Sequence, residues 1–252
     1  MDSDLVRSRW FLKDSIRREV DFRATDQARG VVPPALSKPA PAEQIRIALP
    51  PPESWTHVQP VDLVTAIAER ISVRAYGPAG LALDEVAFLL WATQGVRRQL
   101  SAATAVRTVP SAGARHPFET YLAVYRVDGL PPGIYRFLPF EFALVLERAD
   151  DNLGLALKTA TLGQSFVAVA PVTFVWTVVP YRTEWRYGLA AHKVIALDAG
   201  HVGQNLYLAC AAVGCGTCAV AAYDQAACDA LVGVDGEDEF VIYLAPVGKL
   251  PR

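Results

Sequence analysis

The chain has 252 residues, of which 52% are hydrophobic and 20% are charged, and its formal net charge at pH 7 is −2. This length suits one domain with a large core. The near-neutral charge argues against nucleic acid as a partner, because such binding surfaces carry an excess of basic residues. No uncharged apolar run approaches the ~20 residues that span a bilayer, and the N-terminus lacks the apolar core of an export signal. We therefore expect no membrane association and a cytoplasmic location.

The first 60 residues have the composition of an arm. Residues 1–30 mix charged and scattered apolar side chains, which predicts an amphipathic helix that packs on the main body or on a partner. Eight prolines follow between Pro33 and Pro60. Proline lacks a backbone donor and favours extended conformations, so this segment is expected to cross the surface. We predict an N-terminal helical and proline-rich arm over residues 1–60 and one domain over residues 61–252.

In the domain, short helices are predicted among strands. The predicted helices are 61–70, 84–95, 153–162, 225–232 and a long one that ends at Gly214, and the predicted strands are 118–127, 134–137, 142–146, 172–179 and 240–245. In the first helix, Leu63, Val64 and Ile67 are expected to face inward, and Asp84 is expected to cap the second. Residues 96–110 are expected to form a polar loop. The predicted class is α+β, with a mostly antiparallel sheet flanked by helices; strand 172–179, apolar on both sides, should be central.

The long helix shows the strongest pattern in the chain. Apolar residues recur at intervals of four and three between Ile195 and Val213, as on one face of a helix. The opposite side is hardly polar, which predicts a helix buried on most sides. Gly200 and Gly203 would let a second helix approach closely. Gly214 would end the helix in the left-handed conformation, and Gly216 would leave the main chain open to a flat or bulky group.

Four cysteines lie within nineteen positions, at Cys210, Cys215, Cys218 and Cys228. Their spacing is similar to that of an iron–sulfur loop. The surrounding alanines and valines, and the position of Cys210 inside the predicted helix, favour small buried hydrophobes instead. Disulfides are not expected in a reducing compartment. We predict no metal site.

Three short motifs carry polar chemistry. Arg70, Ser72 and Arg74 alternate in an extended stretch, so their side chains would point the same way and could hold a phosphate. A solvated edge strand would show the same pattern. The loop 110–117 is rich in small residues and could contact a planar ligand or form only a turn. Lys249 follows the last strand and places a cation at the end of that strand.

Together these motifs resemble one family. The segments are Arg-x-Ser-x-Arg, Pro-Ser-Ala-Gly-Ala-x-His-Pro, Leu162-Gly-Gln164, Gly200-His-x-x-Gln-Asn-Leu-Tyr207, Gly-x-Gly after the long helix and a terminal Pro-Val-Gly. Over residues 63–249 they are similar, in order, to the FMN-dependent nitroreductase superfamily. Within it they resemble the SagB-type, or thiazole/oxazole-forming peptide, dehydrogenases. The resemblance implies a nitroreductase-like homodimer with the long helix at the subunit interface and FMN at each end of that interface.

The resemblance also implies which residues bind FMN. The phosphate and ribityl chain would be held by Arg70, Ser72, Arg74 and Lys249, and the isoalloxazine ring would be contacted by Ser111 and Gly113 of the opposite subunit, by Gly214 and Gly216, and by Gln164. His201, Gln204 and Asn205 are expected to make hydrogen bonds at the interface and in the core.

In this branch, a base removes the Cα proton of a thiazoline or oxazoline ring in a peptide, hydride passes to the flavin, and oxygen reoxidises the flavin. The branch uses a Lys-Tyr pair for proton transfer, where this chain has Arg186-Tyr187. Tyr187 would be the base if nearby cations favour its phenolate. Arg186 stays protonated and could assist only through its charge. The implied substrate is a peptide or a related small molecule, and a cyclodehydratase complex is the implied partner.

Two other functions fit the same residues. One is an NAD(P)H-dependent reductase of nitro compounds or flavin, which needs an open ring face and no tyrosine base. The other is a non-catalytic subunit that stabilises a peptide-modifying complex, with or without flavin. The chain lacks a Gly-x-Gly-x-x-Gly motif after a first strand, so a built-in nicotinamide domain is not expected.

Overall fold

The structure, a computed structural model, describes residues 3–251, so the first two residues of the predicted arm and the last residue of the predicted domain lie outside it. Within these residues there are eight α-helices and nine strands. The helices are α1 (Ser3–Trp10), α2 (Leu63–Glu69), α3 (Leu83–Gln94), α4 (Leu153–Ala160), α5 (Ser165–Val169), α6 (Tyr181–Tyr187), α7 (Ala191–Ala212) and α8 (Gln225–Val232). The strands are β1 (Arg46–Ala48), β2 (Val96–Ser101), β3 (Thr104–Arg107), β4 (Phe118–Val124), β5 (Gly133–Leu138), β6 (Ala143–Ala149), β7 (Val172–Val178), β8 (Cys215–Thr217) and β9 (Phe240–Lys249).

Seven of these strands form one sheet in the order β1-β6-β5-β4-β7-β9-β8, and each neighbouring pair is antiparallel. Strand alternation gives the sheet two apolar faces. On β4, Leu122 faces a core shared with α3 and α7, whereas Tyr121 and Ala123 face a second core shared with α4 and α8. Strand β7 is interior and buried at every position, as its apolar sequence predicts. The predicted α+β class, with a mostly antiparallel sheet flanked by helices, is confirmed.

Helix α7 is the long helix that the sequence predicts, and it begins earlier, giving 22 residues. Ile195, Val202 and Leu206 face the sheet and are buried, as their spacing predicts. The other face is exposed, and its outward residues are Leu197, Gly200, His201, Gln204 and Ala211. The prediction that this helix is buried on most sides is therefore wrong for the single chain, because no described element covers that stripe.

The two glycines of α7 differ in what they contact. A Cβ on Gly203 would come within 2.8 Å of the Tyr243 ring, whereas a Cβ on Gly200 would meet nothing within 4 Å. Gly203 therefore lets the helix pack against β9, and not against a second helix as predicted. Gly200 lies on the open face of α7.

Helix α2 corresponds to a predicted helix but faces the other way. Leu63, Val64 and Ile67 are 64%, 78% and 56% exposed, and Ala66 is the buried residue of this helix. The expectation that the three large apolar residues face inward is wrong. The helix turns Ala66 toward the protein and presents its large apolar residues to solvent.

Residues around α3 correct two further predictions. The helix is capped by Ala82, whose backbone N–H donates to Glu85 at 2.9 Å, and not by Asp84. The Asp84 carboxylate instead accepts from the backbone N–H groups of Thr56 and His57 at 2.8 and 3.0 Å. The segment predicted as a polar loop forms the hairpin β2–β3, whose first strand is exposed and too polar to show an apolar alternation.

The arm does not pack as one amphipathic helix. Helix α1 buries none of its residues, so its expected packing on the main body is wrong for Ser3–Trp10. Further along, the arm is ordered against the domain, because β1 pairs with β6 and forms the edge of the main sheet. The boundary between arm and domain at residues 60 and 61 stays a prediction.

A buried polar network fixes the middle of the arm to the sheet. The Lys38 backbone N–H donates to Glu119 at 2.6 Å, and its ammonium donates to Glu239 at 2.7 Å. The buried Glu239 carboxylate also accepts from the hydroxyls of Tyr121 and Thr177, at 3.1 and 2.6 Å. A buried carboxylate needs this set of donors, since unpaired charge in a protein interior is costly. The arm therefore supplies the only cation that bonds Glu239 among the described residues.

Replacing that cation should destabilise the protein. We expect Lys38→Met to lower the free energy of unfolding by about 2 kcal/mol, because Glu239 stays buried with two neutral donors. Urea unfolding at pH 7 would measure the change. Lys13→Met, at an exposed arm position, is the control and should change stability by less than ~0.5 kcal/mol. Equal stability of the two variants would show that the network does not hold the arm.

Candidate active site

The first cluster of predicted residues forms where α2 meets α7. The extended segment after α2 pairs with β8, through a bridge between Ser72 and Thr217. This pairing brings Arg70 over the ring of Tyr207, with 5.3 Å between its guanidinium carbon and the ring centroid. The Ser72 hydroxyl lies 3.0 Å from the Tyr207 hydroxyl. Arg74, two residues on, lies 5.8 Å over the ring of Phe166. We call Arg70, Ser72, Arg74, Tyr207 and Phe166 the Arg70 cluster.

The two arginines of the Arg70 cluster are exposed and have no acidic partner. Neither Arg70 nor Arg74 makes a hydrogen bond or ion pair within residues 3–251; each stacks on an aromatic ring. Glu69 is the acidic residue on the same rim. Two guanidinium forks with free donors, next to the Ser72 hydroxyl, can bind a phosphate group.

A cavity of about 360 Å³ lies beside this cluster and is lined in part by Gly214 and Gly216. Gly214 ends α7 with φ +59°, as predicted, and a Cβ there would meet nothing. Gly216 is different, because a Cβ would come within 2.5 Å of Val73. The absent side chain at Gly216 thus makes room for the extended segment of the same chain, whereas the main chain at Gly214 is open toward the cavity.

Lys249 and Gln164 already have partners in the protein. The Lys249 ammonium donates to the buried Glu85 carboxylate and, at 2.8 Å, to the carbonyl oxygen of Val213. The Gln164 amide donates to the carbonyl oxygens of Thr161 and Ala222 at 3.0 and 2.8 Å. These contacts give both side chains a structural role, and their contact with a cofactor stays a prediction.

The second cluster forms at the other end of α7, around the loop that starts at Ser111. The Ser111 hydroxyl donates to the buried Asp198 carboxylate at 2.6 Å, and the backbone N–H of Ala112 donates to the same group at 3.1 Å. The backbone N–H of His116 closes the loop on the Ser111 hydroxyl at 2.9 Å. Burial raises the pKa of Asp198, and the bonds from Ser111 and Ala112 oppose that shift. The loop is therefore fixed to α7 by one buried acid.

This loop brings the predicted proton-transfer pair to the predicted ring contacts. Gly113 has φ +58°, and a Cβ there would come within 2.6 Å of the Tyr187 hydroxyl and 2.8 Å of Arg186 Nε. Arg186 lies over the Tyr187 ring, at 5.5 Å from its centroid. Only glycine fits this point, because it must adopt a left-handed conformation against two side chains. We call Ser111, Gly113, Arg186 and Tyr187 the Tyr187 cluster.

The two clusters are far apart in the single chain. Tyr207 anchors one and Asp198 anchors the other, and these residues are separated by about 14 Å along the helix axis. Tyr187 precedes α7 and Gly214 follows it, so the whole helix, about 33 Å long, lies between them. The structure brings together the predicted residues within each cluster, but not the two clusters.

Several residues of the site were not assigned from the sequence. Tyr207, Asp198, Phe166 and Glu85 each hold a predicted residue in place. Tyr207 belongs to one of the motifs on which the family resemblance depends, and Asp198 is an isolated acid in an apolar helix. Both residues could therefore have been singled out from the sequence. Asn205, expected to make a core hydrogen bond, donates to the carbonyl oxygen of Ala92 at 2.8 Å, which confirms that expectation.

The four cysteines are buried and none forms a disulfide. Burial raises the pKa of the Cys215 and Cys228 thiols to about 12 each, so both are protonated at neutral pH. This agrees with their interpretation as small buried hydrophobes. No group of three or more potential ligands that could hold a metal ion occurs within the described range. Likewise, no helix there is both long and apolar enough to cross a bilayer.

The loop of the Tyr187 cluster should make stability depend on pH through His116. Burial, together with the charge of Arg107, lowers the pKa of His116 to about 3. Because this folded value lies below the unfolded value, the unfolded chain is protonated first as the pH falls. Stability is therefore full above about pH 6.5 and declines toward pH 3, by about 2 kcal/mol from this group between pH 7 and 5.

Urea unfolding at pH 7 and pH 5 would measure this decline. His116→Asn keeps a side chain that tolerates the positive φ of 45° at this position and removes the titrating ring. We expect the variant to lose about 2 kcal/mol less than the wild type between the two pH values. An identical pH dependence in both proteins would contradict the neutral, buried state of His116.

Comparison with known proteins identifies the family. Residues 67–249 match the Nitroreductase family. The "putative nitroreductase" of Methanocaldococcus jannaschii is 32% identical over 192 residues, which are 76% of this chain and 93% of that protein. A "putative nitroreductase" structure from Ralstonia eutropha has a TM-score of 0.67 at 27% identity and covers 88% of this chain and 95% of its own.

Two more distant structures share the fold. A chain of the Escherichia coli microcin synthetase McbBCD complex, with truncated pro-MccB17 bound, covers 98% of both chains at 16% identity and a TM-score of 0.60. A "putative nitroreductase in complex with FMN" from Desulfovibrio desulfuricans covers 77% of this chain and 89% of its own, at 19% identity and a TM-score of 0.53. From the family match and the 32% identical relative together, this chain belongs to the nitroreductase family of oxidoreductases.

Proposed function

We propose that the chain is an FMN-dependent dehydrogenase that oxidises azoline rings, and that it acts as a homodimer with each site built from both subunits. The observation that supports this proposal is the separation of the two clusters at opposite ends of α7. The Arg70 cluster has the groups for a phosphate, and the Tyr187 cluster has the groups for proton transfer. Neither cluster holds both kinds of group.

A two-fold dimer would join them. In a two-fold interface the same surface of each subunit contacts its copy. The exposed stripe of α7, which includes Leu197 and Gly200, lies along the helix between the clusters. If that stripe packs on its copy with the helices running in opposite directions, the Arg70 cluster of one subunit meets the Tyr187 cluster of the other. The exposed apolar residues of α2 lie beside the same surface and would be covered as well.

The residues present fit FMN. Arg70 and Arg74 have no acidic partner among the described residues, and Ser72 lies between them in sequence, so these three would hold the phosphate and the ribityl chain. The open main chain at Gly214 would lie against the ring. When bound, FMN would accept the hydride that leaves the carbon next to Cα of the azoline.

The Tyr187 cluster would carry out the proton transfer. The Tyr187 hydroxyl would take the proton from the ring Cα, and the Arg186 guanidinium lies beside it. Both side chains pack against Gly113, where a Cβ would exclude them. Ser111, held by the buried Asp198, keeps the loop in place. Arginine replaces the lysine of the resembled branch and can supply charge without exchanging a proton.

The likeness to the microcin synthetase chain supports the choice of substrate. That match extends over 98% of this chain and so includes the arm, whereas the family match begins at residue 67. A substrate with an azoline ring requires a partner that makes the ring, and a cyclodehydratase complex is the class of partner that we propose.

A second candidate is an NAD(P)H-dependent reductase of nitro compounds. The name of the 32% identical relative favours it. The two functions differ in their electron donor. An azoline dehydrogenase takes up oxygen with the azoline alone, whereas a reductase consumes NAD(P)H when a nitroarene is added.

The Arg70 cluster should decide whether flavin stays bound. We expect Arg70→Gln and Arg74→Gln each to weaken FMN binding about 10- to 100-fold, since each removes charge-assisted bonds to a phosphate. Flavin absorbance released on denaturation, and titration of the flavin-free protein with FMN, would measure this loss. Arg98→Gln, in the exposed hairpin, is the matched control and should bind FMN normally. Full flavin retention in both variants would contradict the assignment of the phosphate site.

Tyr187 should affect turnover and not flavin binding. We expect Tyr187→Phe to lower the rate of azoline oxidation about 100-fold or more, because the proton acceptor is lost, with the flavin content unchanged. Tyr223→Phe, beside the second core with α4 and α8, removes a hydroxyl that donates to the carbonyl oxygen of Val241 and should keep normal turnover. Normal turnover in Tyr187→Phe with flavin bound would exclude Tyr187 as the base.

A further inference from the structure

The arm forms one wall of a groove that opens at the Tyr187 cluster. The groove has a volume of about 420 Å³, within the range of small-molecule sites. Its lining residues are Arg17, Phe22, Thr25, Gln27 and Ala28 from the arm, and Arg186 and Tyr187 from α6. Every arm residue in it lies outside the segment that matches the family, which begins at residue 67.

The arm is held against α6 by three hydrogen bonds that flank the groove. The backbone N–H of Gln27 donates to the carbonyl oxygen of Trp185 at 2.8 Å, and the Trp185 indole donates to the carbonyl oxygen of Val31 at 2.9 Å. The Tyr181 hydroxyl donates to Asp26 at 2.8 Å. Bonds to both backbone and side chains fix the position of this segment, so the groove is a built part of the fold.

The groove has two guanidinium groups and no acidic lining residue. Arg186 is half-buried and makes no hydrogen bond or ion pair with any residue of the described range. Arg17 bonds Asp14 through Nε at 2.8 Å, which leaves its terminal nitrogens free. A half-buried guanidinium without an acceptor has donors to satisfy, and an anionic ligand would satisfy them.

The residues behind the groove add positive charge. Arg115 is buried and packs on the Trp185 ring at 4.8 Å, and Arg182 is buried beside it. Burial, followed by the charges of Arg186 and Arg182, lowers the pKa of Arg115. Glu119 pairs with Arg182 and offsets one of these charges. The positive charge that remains gives the groove an electrostatic potential that favours an anion.

Each cation in the groove lies over an aromatic ring. The guanidinium carbon of Arg17 is 5.6 Å from the centroid of Phe22, and that of Arg186 is 5.5 Å from the centroid of Tyr187. Aromatic walls with adjacent guanidinium groups suit a flat ring that carries a carboxylate. Thr25 and Gln27 add neutral polar groups to the lining.

We infer that this groove selects an azoline whose ring carboxylate is free, that is, a ring at the C-terminal end of its substrate or a small heterocyclic acid. In a ring inside a peptide this carboxyl group is a neutral amide, which would leave Arg186 without an anion and Arg17 with Asp14 alone. The carboxyl group is attached to the same carbon that loses its proton. Arg186 and Tyr187 both line the groove, and the guanidinium carbon of Arg186 lies 5.5 Å from the centroid of the Tyr187 ring, so a carboxylate on Arg186 would place that carbon near Tyr187.

The inference rests on the proposed function for the reaction, but its binding test does not. The probes are 2-phenylthiazole-4-carboxylate and its 4-carboxamide, which have the same shape and are already oxidised. Calorimetric titration of the flavin-loaded protein should show the carboxylate binding at least 10-fold tighter than the amide. Arg17→Gln and Arg186→Gln should each reduce that preference, whereas Arg23→Gln, an arm arginine with a 94% exposed side chain outside the groove, should keep it.

Oxygen uptake with the corresponding thiazolines then separates the two proposals. Preference for the thiazole carboxylate without turnover of either thiazoline would support the groove and overturn azoline oxidation. Turnover of the thiazoline carboxylate and carboxamide with equal kcat/KM would support azoline oxidation and overturn the groove. Equal binding of the two thiazoles, or a preference that survives both Arg17→Gln and Arg186→Gln, would also overturn the groove.

Discussion

The packing of α7 on the sheet is the constraint on which the rest of the site depends. Ile195, Val202 and Leu206 fix one face of the helix against the core, and this contact decides where each of its ends lies. Tyr207 near one end holds the Arg70 cluster, and Asp198 near the other holds the loop of the Tyr187 cluster. A rigid helix of 22 residues keeps its two ends apart, so the two clusters stay separate within one chain.

The arm contributes both to the fold and to the groove beside Tyr187. The family match begins at residue 67, and residues before it add an edge strand, a cation for the buried Glu239 and a wall of the groove at Tyr187. The arm is thus part of the sheet at one point and lines the groove beside Tyr187 at another. A family fold that supplies flavin chemistry can acquire a substrate preference in this way without a change in its core.

The sequence predicts helices and strands well where burial imposes a regular spacing on the apolar residues. The spacing from Ile195 to Val213 predicts α7, and the apolar run of β7 predicts an interior strand. The prediction fails where the same residue pattern has two physical explanations. The apolar face of α2 predicts burial in the core, but the same face can serve a partner surface, and here it is exposed. Strand β2 is missed because an exposed strand of polar residues has no apolar alternation.

Residues of the candidate site can likewise be predicted only where a local sequence pattern connects them. Arg70, Ser72 and Arg74 are recognisable because they are close in sequence. The partner of Lys249 is Glu85, which is 164 positions away, and that of Ser111 is Asp198, which is 87 positions away. No local pattern connects such pairs, since the fold alone brings them together.

Mixing two inactive variants tests the shared site most directly. Arg70→Gln and Tyr187→Phe subunits would be unfolded together, refolded and assayed with an azoline, at an FMN concentration that loads wild-type sites but leaves Arg70→Gln sites empty. If each site combines the Arg70 cluster of one subunit with the Tyr187 cluster of the other, every mixed dimer has one intact site, and random mixing restores about a quarter of wild-type activity. If both clusters served a site within one subunit, each site would carry a defect, and the mixture would be as inactive as its components.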